Sequence, residues 1–172
     1  MTGRDDGIPG TAPGRGRRAA VKVPLYPPLD GPFVAIDFET ADYGRDSACA
    51  VALVRVEGDR IVATEHRLIR PPRRQFVFTY IHGIRWEDVA GAPPFAGVWP
   101  EVAPILEGAS FFAAHNAPFD KGVLAACCAA AGLPDPALPF VCTVKLSRRA
   151  WTLPSNARDA VCRHLDIPLR HH

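Results

Sequence analysis

Two short apolar runs in this chain each break off into a polar, carboxylate-bearing motif, and that pairing limits what it can fold into. Phe33 to Ile36 is apolar, partly β-branched, and stops at Asp37. Ser110 to Ala114 is a second run of buried type and stops at His115. Runs of this kind suit central strands covered on both faces. Asp37-Phe38-Glu39-Thr40 follows the first run, and His115-Asn116-Ala117-Pro118-Phe119-Asp120 follows the second. Open sheets hold their sites where neighbouring strands end, so adjacent placement of the two runs would bring both motifs to one edge.

The intervening sequence supplies the rest of a sheet and its cover. Cys49 to Val56 predicts a second strand, Gly58-Asp59 a turn, and Arg60 to Ile69 an antiparallel return halted by Pro71-Pro72. Trp86 to Val89 predicts a short helix. Phe95, Val98, Trp99, Val102, Ile105 and Leu106 recur at helical spacing. Ala117 to Ala131 reads as a helix closed by Gly132 and Pro134. Phe140 to Cys142 is a short strand, and Thr143 to Trp151 and Asn156 to Leu165 are expected helices. An antiparallel opening followed by alternating units implies an α/β fold, a mixed sheet flanked by helices.

Length and composition set outer bounds. The chain has 172 residues, 48% of them hydrophobic and 22% charged, which suits one globular domain. No apolar run reaches the roughly 18 residues that would span a bilayer, so no membrane partner is expected. The polar N-terminus has no apolar core of a secretory signal. None of the five cysteines forms a C-x-x-C pair, which argues against a zinc knuckle. With the absent signal, the odd cysteine count leads us to expect a reducing, cytoplasmic setting. Residues 1–31, with Gly14-Arg15-Gly16-Arg17-Arg18, are expected to be a disordered basic tail, and residues 32–172 the folded domain. A net charge of +2 neither demands nor excludes a nucleic-acid partner.

Asp37 and Glu39 are two apart on an expected strand and so share a face. Adjacent carboxylates repel, and a divalent cation relieves the repulsion; oxygen-only ligands suit magnesium or manganese. In the second motif, Asn116, Pro118 and Asp120 can also be read as a helix cap, a first-turn proline and a dipole partner.

These motifs resemble those of the DnaQ-like, DEDDh-type 3′–5′ exonucleases, whose fold is ribonuclease-H-like. The family's D-x-E-T stands here as Asp37 to Thr40, its H-N-x-x-F-D as His115 to Asp120, and its I-H-G-I as Ile81-His82-Gly83-Ile84. The resemblance runs from about Phe33 to the C-terminus. Its third motif, His-x-x-x-x-Asp, is represented only by Leu169-Arg170-His171-His172. His172 is then the expected catalytic histidine, and the expected aspartate and its helix fall beyond the sequence.

The resemblance implies hydrolysis of nucleic-acid 3′ ends to nucleoside 5′-monophosphates with two Mg2+ or Mn2+ ions. Asp37, Glu39 and Asp120 would hold the metals, and His172 would take a proton from water. Phe38, Thr40, His82, Ile84, Asn116 and Phe119 would hold the single-stranded end of DNA, or of RNA. Arg73, Arg74, Lys145, Arg148 and Arg149 are candidates for backbone phosphates. A DNA polymerase subunit is an expected partner, as for a proofreading exonuclease. The missing aspartate leaves open an impaired or inactive nucleic-acid- or protein-binding module with the same fold.

Overall fold

A computed structural model describes residues 27–169 of the chain. The expected tail therefore lies almost wholly outside the described residues, as do His171 and His172.

The sheet has five strands in the order β3-β2-β1-β4-β5. They are β1 (Phe33–Thr40), β2 (Ala48–Glu57), β3 (Arg60–Leu68), β4 (Phe111–Ala114) and β5 (Phe140–Cys142). The first three form an antiparallel meander, and β4 and β5 add in parallel beyond β1. The turn between β2 and β3 requires Gly58, whose φ is +60°. This is the mixed sheet that the run pattern implies.

β1 continues through the acidic motif, four residues past the apolar run that announced it. Val34, Ile36, Phe38 and Thr40 are all buried on one face, so the alternation persists although the other face turns acidic. Pairing with β2 continues as Asp37↔Ala52, Phe38↔Val51 and Glu39↔Ala50.

Among the described residues six α-helices accompany the sheet: α1 (Thr79–His82), α2 (Trp86–Val89), α3 (Phe95–Val102), α4 (Pro118–Ala131), α5 (Thr143–Ala150) and α6 (Arg158–His164). The helix expected over 95–106 splits, with 3₁₀ geometry at Ala103–Leu106, and Pro100 and Pro104 each remove a helical donor there. The single turn α1 is too short to show periodicity, and the left-handed Gly83 (φ +78°) closes it. The main core joins Ile36, Phe38 and Leu53 of the sheet to Val98 and Trp99 of α3 and Leu124 of α4. Cys127 and Cys128 are core fillers, and burial pushes both thiols up to about 11. No helix among the described residues is long and apolar enough to cross a membrane.

Candidate active site

The parallel ladder between β1 and β4 stops at Ala35↔Ala113, whereas β1 runs on to Thr40. On this overhang Asp37 and Glu39 lie opposite the buried face that carries Phe38. Past β4 the chain turns through Asn116 into α4, whose first turn carries Asp120. That carboxylate is almost fully buried, at 1% exposure, and its Oδ1 accepts the Phe38 backbone N–H at 3.1 Å. Asp120 thus takes the place of a neighbouring strand along this stretch of β1, on the amide between Asp37 and Glu39.

The three acids feel one another. Burial pushes the Asp120 carboxyl up to about 7; the Phe38 N–H opposes the shift, and the charges of Asp37 and Glu39 add to it. Burial also raises Glu39, with repulsion from Asp37 next. Asp37 is raised by burial as well, against the nearby charges of Arg158 and His115. An acidic cluster of this kind gains from a hard cation, and its all-oxygen donors suit magnesium or manganese. Among the described residues no three His, Cys, Asp or Glu side chains close into a group able to hold a metal ion alone.

His115 stands behind this edge, with Nδ1 2.9 Å from the Thr143 hydroxyl. Its ring also faces the Asn156 backbone, and burial lowers its pKa while that backbone contact opposes the shift.

The expected strand-holding residues divide. Phe119 lies at the surface, 36% exposed, with the Arg45 guanidinium 6.0 Å from its ring centre. Asn116 is exposed and left-handed (φ 69°); it does not cap α4, because Ala117 occupies the cap position. Its carbonyl instead accepts the Phe119 N–H at 2.9 Å. Phe38 is a core residue at 2% exposure, which leaves only its backbone beside the site. Thr40 is buried, and Ile84 is half-buried against Ala41, Cys49 and Val89. His82 has both ring nitrogens engaged: Nε2 lies 3.2 Å from the Thr40 carbonyl, and Nδ1 accepts the Ile84 N–H at 3.1 Å. It ties the end of α1 to β1.

The basic candidates divide in the same way. Arg73 clamps Asp42 and Asp46, and Arg74 lies 5.1 Å from the Trp86 ring centre. Lys145, Arg148 and Arg149 are exposed on α5.

The structure adds residues that the sequence reading passed over. Tyr43, Arg45 and Phe78 join Thr40, Phe119 and Val123 around a shallow cavity of about 160 Å³ beside the acidic edge. Tyr43 is 80% exposed and meets Phe78 edge-on at 5.0 Å. Arg158, the first residue of α6, reaches Asp37 at 3.9 Å.

Comparison with known proteins agrees with this fold. The family described as Exonuclease (RNase_T) matches residues 34–172. DNA polymerase III PolC-type of Thermotoga maritima is 33% identical over 147 residues, 83% of this chain and 11% of that protein. Exodeoxyribonuclease 10 of Escherichia coli is 34% identical over 118 residues, 67% of this chain and 47% of that protein. The chain thus spans less than half the length of these relatives. Exonuclease X in complex with 5′ overhanging duplex DNA superposes with a TM-score of 0.64 at 28% identity, covering 80% of this chain and 75% of that one. The nuclease domain of 3′hExo, a DEDDh family member bound to rAMP, shares the fold at 16% identity, with a TM-score of 0.70 and 84% of each chain covered. On these matches the chain belongs to the DnaQ-like exonuclease family of ribonuclease-H-like fold.

Proposed function

We propose that this chain is a metal-dependent 3′–5′ exonuclease domain that releases nucleoside 5′-monophosphates from single-stranded DNA ends. The observation that carries the reading is the buried Asp120 carboxylate on the amide between Asp37 and Glu39, with all three acids raised in pKa. Clustered acids that resist ionisation are poor for stability and well suited to holding divalent cations. Asp37 and Glu39 would hold them directly, and Asp120 directly or through water. When bound, two such ions supply a nucleophilic hydroxide and offset charge on the scissile phosphate.

The chain's own side chains do the rest. His172 is proposed to take the proton of the attacking water, a role suited to an imidazole near neutrality. Phe119 offers a face to a terminal base, and the exposed Asn116 stands beside it. The backbone at Phe38, with Thr40, His82 and Ile84, would form the wall against which the strand end lies; His82 links Thr40 to Ile84 there. DNA is favoured over RNA because the curated relatives are a DNA polymerase and an exodeoxyribonuclease. A DNA polymerase subunit is a fitting partner on the same ground.

The test is digestion of 5′-labelled single-stranded DNA and RNA with Mg2+ or Mn2+. The expected result is a ladder shortened from the 3′ end, faster on DNA, with mononucleotide products. Asp37→Ala should lower the rate by at least about a hundredfold, an effect of transition-state size. Endonucleolytic fragments, or cleavage that survives Asp37→Ala, would remove this reading.

A further inference from the structure

The start of α6 is tied down over the acidic edge. Ser147 is 1% exposed, and its hydroxyl donates to the Asn156 side-chain oxygen at 2.7 Å. Asn156 also offers its backbone to His115, the residue that follows β4. Two residues on, Arg158 brings Nη1 to 3.9 Å from Asp37 Oδ2. That separation is an ion pair too long for a hydrogen bond. Both side chains are open to solvent, at 66% and 57% exposure. Such a pair contributes little to folding stability and holds the guanidinium loosely. The charge nevertheless acts on Asp37, Glu39 and His115 together.

We propose that Arg158 is a positioning residue that exchanges partners: it rests on Asp37 when no metal is bound, and grips a phosphate of the DNA strand once Asp37 turns to a cation. The inference rests on the exonuclease reading and names a residue that the acidic and histidine motifs do not contain. Its chemistry follows from charge. A strand that enters an edge bearing Asp37, Glu39 and Asp120 meets repulsion, and a forked guanidinium is the side chain best shaped to hold a phosphate there. A cation on Asp37 removes the attraction that keeps Arg158 in place. The freed donors are then available to a phosphate of the strand. Before that, Arg158 competes with the metal for the same carboxylate.

Arg158→Gln separates these effects from a structural role. Mn2+ binding without DNA, followed by electron paramagnetic resonance, should tighten about threefold or more in the variant. DNA binding is measured by fluorescence anisotropy of a labelled single strand in Ca2+, and should weaken about tenfold. The slope of log Kd against log salt should fall by about 0.7, the value for one lost single-strand phosphate contact. Arg158→Lys should restore most of the salt slope and only part of the affinity, and the melting temperature should stay within about 1 °C. Unchanged Mn2+ affinity, or an unchanged DNA salt slope, in Arg158→Gln overturns the proposal. A wild-type chain that binds single strands but never cuts them would overturn the exonuclease reading, and leaves these binding measurements to judge Arg158.

Discussion

Asp120 combines near-complete burial with a carboxyl pushed up to about 7, and this has a measurable consequence. An unfolded aspartate titrates near the model value of 3.8, so between there and about 7 the folded chain holds a proton that the unfolded chain releases. Stability from this group is fully present below about pH 4 and is lost as pH rises through about 7. In chelator, melting temperature should therefore fall across that window. Asp120→Asn keeps an oxygen for the Phe38 N–H and removes the titration, so the fall should flatten. A residual slope of the same sign is expected from Asp37 and Glu39, which are also raised. A variant whose melting curve tracks wild type from pH 4 to 8 would show that Asp120 is ionised throughout.

At the scale of elements, the loop after β1 is fastened by a second acidic pair with the opposite pH sign. Arg73 Nε donates to Asp42 at 2.7 Å and Nη1 to Asp46 at 2.9 Å, and these bonds lower both carboxyl pKa values. Their stabilisation is complete above about pH 4 and is lost as pH falls through the depressed values. Arg73→Ala should cost about 1–2 kcal/mol in urea denaturation at pH 7, discounted for the exposed arginine. The penalty should shrink as pH falls through the depressed values of both acids, and a constant penalty would mean that packing, not charge, is lost. Much of the architecture around this loop is legible in the sequence, because period-two burial in β1 and helical spacing in α3 and α4 are local patterns. The acidic strand and Asp120 were legible for the same reason, being attached to periodic elements. Arg158 was not: α6 buries no residue among those described, and its place depends on the Ser147–Asn156 hydrogen bond. Asn116 does not cap α4 because the chain enters the helix through its left-handed φ of 69° with Ala117 at the cap position, and neither composition nor spacing encodes that turn.

Across the whole molecule, the site exists only when distant parts of the chain meet. The Phe38–Asp120 hydrogen bond joins residues 82 apart, across the long-range pairing of β1 with β4. A cation held by Asp37, Glu39 and Asp120 should therefore bind the folded state and scarcely the unfolded one. Such a ligand stabilises by mass action, about 2.7 kcal/mol when present at a hundred times its Kd. Mg2+ or Mn2+ should accordingly raise the melting temperature of the domain. The rise should grow from pH 5 to 8, because the metal competes with the proton that Asp120 binds up to about pH 7. Asp37→Asn removes a ligand charge and should abolish most of the metal-dependent rise while leaving the metal-free protein as stable as before or more so. The more stable outcome follows from taking one repelling charge off the edge, where Asp37 raises both Glu39 and Asp120. A metal-induced shift of equal size in wild type and Asp37→Asn, measured by differential scanning fluorimetry across that pH range, would place the cation elsewhere on the molecule.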